Sequence, residues 1–320
     1  MWNTRVTEKL GIAFPIIGGA LQWLGRAPFV AAISNAGGLG IITSASFTSK
    51  DELKNEIRQT RQLTDKPFAV NINLFPSMRP FSIADMLDAV DEESVSIVET
   101  SGRSPEPYME RLKRGGRIHM HKCARRKDAI KAEAVGVDLV TIVGTECGGH
   151  PAHEAVSTLV LLPCTVDAVT IPVIGGGGIY DGRGLMAAFA LGAEGVVIGT
   201  GLLATTECPF HPNFKQALIQ ADETSTCRLL DSVKAPVRTF LNQPAKTILD
   251  MEAQGKSLEE ILPRMRGELG REAYQTGDVN GCIWACGQSA GLIREILPVK
   301  DYFQRIIKEA EAIRKQWGKP

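Results

Sequence analysis

The sequence carries no excess of charge: 36 Lys and Arg balance 36 Asp and Glu over 320 residues. No net field steers such a chain onto phosphate backbones or acidic lipid, so nucleic-acid partners are not expected. No stretch approaches the roughly 18 apolar residues that a membrane span requires, so insertion into a bilayer is not expected either. The start, MWNTRVTEKLGIAF, lacks a basic segment followed by a long apolar run, and the expected location is the cytoplasm. Seven cysteines, odd in number and scattered, suit free thiols in a reducing compartment better than a disulfide framework. Tyrosines are few: Tyr108, Tyr180, Tyr274 and Tyr302. There is no internal repeat, no low-complexity tract, and no GxGxxG in the first strand–helix turn, which counts against a dinucleotide-binding open sheet.

What is present is a chain that is 44% hydrophobic, able to bury a large core. Eight short apolar runs rich in β-formers alternate with amphipathic segments. They are PIIGGA (15–20), GLGIITSAS (38–46), FAVNINLF (68–75), VSIVETSG (95–102), RIHMHKC (117–123), LVTIVGTE (139–146), VIGGGG (173–178) and GVVIGT (195–200). Helical candidates between them include APFVAAISNA, SKDELKNEIRQTRQL, EPYMERLKR, RRKDAIKAEAV and DGRGLMAAFALG, several with Ser or acidic starts. Eight such alternations in about 200 residues predict an α/β fold, a parallel (β/α)8 TIM barrel. A doubly wound open sheet is the alternative. Residues 1–210 form the barrel in this reading, 211–287 a helical extension subdomain, and 288–320 C-terminal helices that return to the barrel.

Strand alternation sorts the polar residues. In FAVNINLF, Ala69, Asn71 and Asn73 share one face and Val70, Ile72 and Leu74 the other. The apolar face suits the helix shell, which turns Asn71 and Asn73 inward at the C-terminal mouth, where barrel enzymes place their chemistry. In RIHMHKC the same rule groups Ile118, Met120 and Lys122, with Lys122 last and at the mouth. His119, His121 and Cys123 fall on the opposite face. The histidine pair has a metal-like look, but hydrogen-bonded structural histidines under the helices are the favoured reading. Cys282, Cys286, Cys227 and the Cys208–His211 segment fit no zinc spacing, and no metal is expected. Gly176, Gly177 and Gly178 after the seventh strand, with Gly199 and Thr200 after the eighth, read as backbone N–H anion sites of the kind barrels use for phosphate. The stretch GTECGGHP (144–151) sets two glycines before His150 at a strand end, which means a tight turn or something lying against the backbone. Trp284, Trp23 and Phe210 either cap a pocket or fill core. Asp181 and Arg183 read as a helix cap with its charge partner.

Taken in order, IIGGALQW, SNAGGLGII, VNINLF, HKC, GTECGGHP, VIGGGGIYDGRG and VIGTGLLATTECPFHP resemble the nitronate monooxygenase (2-nitropropane dioxygenase) family of FMN-dependent barrels. The resemblance covers nearly the whole chain. Within the family it is most similar to a bacterial branch of NADH:quinone reductases, through the Cys of ECGGH, the ATTECPFHP segment and the helical extension. The resemblance implies non-covalent FMN across the barrel mouth. Its phosphate would rest on Gly176, Gly177, Gly178, Gly199 and Thr200. Asn71 and Asn73 would meet the ring or ribityl region, and the Gly19-Ala20-Leu21-Gln22 turn would approach the ring. Gly148 and Gly149 would pass beneath it, making room for a flat cofactor. The implied catalytic residues are Lys122, a cation beside the flavin pyrimidine edge, and His150, facing the substrate.

Departures from the family pattern bear on substrate. Cys147 stands where nitronate monooxygenases read Ala, Val143 where some relatives have Asp, and Gly201 where many have Arg. A tyrosine-rich C-terminal pattern associated with one class of nitronate monooxygenases is missing. The expected activity is that of an FMN-dependent oxidoreductase of the NAD(P)H:quinone reductase type, in which hydride passes from NADH or NADPH to flavin N5 and then to a quinone in two half-reactions. The alternatives are oxidation of an alkyl nitronate with oxygen, in which His150 would serve as base toward a nitroalkane; reduction of an enoyl thioester; and a non-redox barrel binding a phosphorylated metabolite.

Overall fold

The computed structural model describes residues 2–75 and 81–318. Eight parallel strands carry the barrel: β1 (Ile16–Gly18), β2 (Gly40–Thr43), β3 (Phe68–Asn73), β4 (Ile97–Ser101), β5 (Ile118–Cys123), β6 (Leu139–Val143), β7 (Val173–Gly176) and β8 (Gly195–Ile198). Each falls inside one of the eight apolar runs. β1 pairs with β8, and from β8 the order runs back to β2. The ring closes on one parallel bridge, Ile17 to Leu39, where Gly18 N donates to Leu39 O (2.9 Å) and Leu39 N to Ile16 O (3.0 Å). The fold is therefore a (β/α)8 barrel.

Helices α1 (Arg5–Leu10), α2 (Ala27–Asn35), α3 (Lys50–Leu63), α4 (Ile83–Glu92), α5 (Met109–Leu112), α6 (Arg126–Ala134), α7 (Thr158–Val166) and α8 (Gly182–Ala190) accompany the strands. Their starts follow the sequence: Ser49 accepts from Glu52 N at α3, Ser82 and Asp85 form a capping box at α4, and Asp181 accepts from Arg183 N and Gly184 N at α8. Such caps satisfy backbone N–H groups that the helix itself cannot. The alternation in β3 sends Val70, Ile72 and Leu74 into a layer with Leu53, Ile57, Leu87 and Val90 of α3 and α4. Ala69 goes inward to Ile17, Ile41, Ile97, Met120, Leu139, Ile174 and Val197, the packed barrel interior. α1 plugs the N-terminal end, with Val6 and Leu10 in that interior cluster and Arg5 Nε held by Glu194 at 2.9 Å.

After β8 comes only the four-residue α9 (Thr200–Leu203), followed by α10 (Pro212–Ile219), α11 (Gln243–Ala253), α12 (Leu258–Ile261), α13 (Gly267–Thr276) and α14 (Val299–Trp317). α14 supplies the shell helix that α9 is too short to be: Tyr302, Phe303, Ile306 and Ala310 are buried, and it packs on α8 and α2. The segment read as helical from 211 to 287 also contains an antiparallel hairpin, β9 (Thr226–Leu229) and β10 (Val237–Phe240). Its strands are four residues each, and β9 is only partly buried, so the sequence shows little alternation there. Trp284 is buried among Phe210, Phe214 and Phe240, stacked on the last at 4.3 Å, and fills core. No helix among the described residues is long and apolar enough to cross a membrane.

Candidate active site

A cavity of about 1110 Å³ opens at the C-terminal ends of the strands. Gly19, Ala20, Leu21 and Gln22 line it from the loop after β1, Asn71 and Asn73 from β3, Lys122 from β5, and Gly148, Gly149 and His150 from the loop after β6. Gly177 and Gly178 follow β7, and Gly199 and Thr200 follow β8, on the same wall. Trp23, Phe210 and Tyr274 also face it. Trp23 adopts a left-handed backbone (φ 67°) and donates from Nε1 to Gly267 O at 2.9 Å, joining the barrel rim to α13.

Gly176 is placed differently from its neighbours. It is the last residue of β7 and does not line the cavity; a Cβ there would fall 2.3 Å from Val197 Cγ1, so its missing side chain serves barrel packing. Gly177 and Gly178 have φ of 95° and 75°, a region that favours glycine. Among the described residues neither of their backbone N–H groups donates to a protein acceptor. Two such groups, beside side-chain-free Gly199, form a concave set of donors suited to an anion.

The floor of the cavity is polar. Glu99, fully buried on β4, accepts from Asn71 Nδ2 at 2.6 Å and from Lys122 Nζ at 3.2 Å. Lys122 is thus an ion pair across adjacent strands rather than a lone cation. Asn73 Oδ1 is engaged by Phe75 N at 2.9 Å. Glu99 was not among the candidates from sequence. The alternation that placed Asn71 and Lys122 also turns Glu99 inward, but VSIVETSG reads first as an apolar run.

The GTECGGHP loop is held from three sides. Glu146 accepts from Thr158 N (3.0 Å) and Thr158 Oγ1 (2.9 Å), fastening the loop to the start of α7. Gly149 makes an antiparallel bridge to Arg238 of β10, at 3.0 and 2.7 Å, while Arg238 Nε donates to Thr145 O at 2.8 Å. Gly148 lies against the backbone of Cys286 and Gly287, where a Cβ would come within 2.8 Å of Cys286 C. The two glycines therefore have different causes. Gly148 admits another backbone; Gly149 has φ 83°, and a Cβ on it would meet nothing within 4 Å. Neither the hairpin nor the 286–287 contact has a local signal in the sequence.

His150 projects into the open cavity beside Phe75, ring centroids 5.7 Å apart. The surrounding protein desolvates it and lowers its pKa below the usual value, so the neutral imidazole prevails near pH 7. Burial pushes the Cys147 thiol up to about 12 against the opposing charges of Lys122 and Arg238, which leaves it protonated and unreactive. His119 and His121 lie under the helix layer, where Thr100 Oγ1 is 2.7 Å from His119 Nε2 and 2.7 Å from His121 Nδ1. Among the described residues no three His, Cys, Asp or Glu side chains are arranged to hold a metal ion.

The chain matches the model of the family described as nitronate monooxygenase over residues 3–309. A Staphylococcus saprophyticus protein named "Probable nitronate monooxygenase" is 30% identical over 97% of this chain and 98% of its own. A Rhodococcus jostii protein named (3aS,4S,5R,7aS)-5-hydroxy-7a-methyl-1-oxo-octahydro-1H-indene-4-carboxyl-CoA dehydrogenase is 38% identical over 72% of this chain. The match spans 64% of that relative's length. The solved structure of FabK from Thermotoga maritima superposes with a TM-score of 0.91 at 38% identity, covering 99% of both chains.

Proposed function

This chain belongs to the nitronate monooxygenase family and is an oxidoreductase, and on that premise we propose that it is an FMN-dependent enzyme that takes electrons from NADH or NADPH and delivers them to an α,β-unsaturated acyl thioester. The observation that carries the cofactor is the pair of N–H donors at Gly177 and Gly178, which among the described residues have no protein acceptor and face a cavity beside the bare backbones of Gly149 and Gly199. These residues fit a flat, phosphate-bearing group. FMN, when bound, supplies the two-electron chemistry that no side chain here can. The chain's part is to hold it, through backbone donors at the phosphate and the Asn71–Glu99–Lys122 floor, and to exclude water. His150, neutral near pH 7, donates one ring N–H to a substrate carbonyl oxygen, which polarises it without transferring a full charge. Support for a thioester comes from the Rhodococcus relative, which by its name acts on a carboxyl-CoA compound.

A quinone as acceptor is the second reading, favoured by Cys147 in the ECGGH motif and by the extension at 211–287. Denaturing the purified protein should release FMN in near-stoichiometric amount; FAD, or no flavin after reconstitution, would remove the cofactor assignment. The holoenzyme is then mixed anaerobically with NADH, NADPH or propyl nitronate while the visible flavin band is followed. Bleaching by a nicotinamide is expected, with colour restored faster by crotonyl-CoA than by menadione. The reverse order of acceptors would select the quinone reading. Bleaching by nitronate alone would overturn both in favour of nitronate oxidation.

A further inference from the structure

Beneath the cavity the barrel interior changes from apolar to polar over one layer. Glu99 is in register with Asn71 on one side and Met120 on the other, and Ser101 with Lys122. Burying a carboxylate in that position costs far more than burying an amide, and a protein retains one only where it is paired. Glu99 is paired twice: Oε2 takes Asn71 Nδ2 at 2.6 Å, and both carboxylate oxygens stand 3.2 Å from Lys122 Nζ. Oε1 nevertheless has no well-directed hydrogen bond, although it is fully buried. The ammonium therefore sits between a buried carboxylate below and the cavity above, where Lys122 retains about one fifth of its side-chain exposure.

We propose that Glu99 is a positioning residue: it fixes Lys122 and Asn71 at the cavity floor and offsets the lysine charge, so that a bound flavin faces a neutral ion pair and not a bare cation. The proposal rests on the FMN reading for its effect on the flavin, and on the chain alone for the pairing. Charge near a flavin shifts the relative stability of its oxidised and reduced, more anionic, forms. Removing the carboxylate while keeping the lysine leaves net positive charge there and favours the reduced form. Removing both restores neutrality. A residue that merely filled space would move stability without this ordering.

The test is the set of wild type, Glu99→Gln, Lys122→Met and the double variant. In the FMN-loaded proteins Glu99→Gln is expected to favour reduced over oxidised flavin by about tenfold or more, which is an upward shift of about 30 mV for a two-electron couple. Adding Lys122→Met to it should bring the potential back toward wild type. In the flavin-free proteins Lys122→Met should melt lowest, because it strands a buried carboxylate, and the double variant should melt above it. An unchanged potential in folded, FMN-loaded Glu99→Gln would overturn the charge-offsetting role. A double variant melting no higher than Lys122→Met would overturn the pairing itself. If the protein proves to carry no flavin, the cofactor reading fails, while the melting comparison still decides whether Glu99 positions Lys122.

Discussion

Taking the protein from pH 6.5 to pH 5 will remove on the order of 3 kcal/mol of folding stability, through the two histidines buried between β5 and the helix layer. His119 is fully buried and His121 nearly so, and both are tied to the Thr100 hydroxyl. Desolvation lowers His119 to about 3, helped by His121 and Lys113 and opposed by Asp138. Desolvation likewise lowers His121 to about 4, with Asp128 opposing and Lys122 assisting. A group whose folded pKa lies below its unfolded value gives its full stabilisation above the unfolded value, near 6.5. That stabilisation is lost as pH falls toward the folded values, because only the unfolded chain takes up the proton. Each histidine costs about 0.7 kcal/mol per pH unit at pH 6.5, where the unfolded ring is half protonated, rising to about 1.4 below pH 5.5, which sets the figure above against a typical total of about 5–15 kcal/mol. Carboxylates act later: Glu92, lowered to about 2 by Lys50 and Lys54, has its window below about pH 4.5. Urea unfolding at pH 7.5, 6.5, 5.5 and 5.0 measures the slope. A His119→Gln/His121→Gln protein, able to keep a hydrogen bond to Thr100, should show a much flatter one. Equal slopes in the two proteins would mean that the acid loss arises elsewhere.

Gly148→Ala will cost about 1–3 kcal/mol and loosen flavin retention, because the added carbon must displace backbone. The atoms it meets are Cys286 C at 2.8 Å, Cys286 N at 2.9 Å and Gly287 N at 2.9 Å. Gly287 N also donates to Thr200 Oγ1 at 2.9 Å, so displacement there reaches the wall after β8. Gly149→Ala is the control. It meets nothing within 4 Å but must hold φ 83°, a left-handed strain of about 1–2 kcal/mol that stays local. Amide hydrogen exchange around residues 286–288 should therefore quicken in Gly148→Ala and not in Gly149→Ala. A Gly148→Ala protein that melts and retains flavin like wild type would show that the 286–287 segment yields freely.

The barrel was legible because its signals are local. Eight apolar runs bounded by glycine and capped helices report strand and helix separately, and alternation within FAVNINLF and RIHMHKC assigns faces without any knowledge of neighbours. The placement of Asn71 and Lys122 toward the interior and of His119 and His121 toward the helices follows from that rule alone. What was not legible depends on partners far along the chain. The reason for Gly148 lies at Cys286, the reason for Gly176 lies at Val197, and the hairpin that holds Gly149 has strands of only four residues, one part-exposed along most of its length and the other buried at three successive positions, so neither alternates. Glu99 is the intermediate case. Its direction was available from the period of the strand, but its importance comes from the lysine one strand over.

The pairing of β1 with β8 and the placing of α14 between α2 and α8 govern the order in which the molecule can be made. Ile16 meets Val196, so during synthesis the first strand has no partner on that side until about 180 further residues have emerged. The apolar faces of α2 and α8 stay bare for longer, until Val299–Trp317 arrives. A ribosome-held chain that ends just before residue 299 would present a closed ring with an open seam in its shell, and a chaperone that reads exposed apolar surface should engage it there and release it once the last helix seats. Equal chaperone crosslinking to chains halted before and after α14 would argue that the seam is already covered.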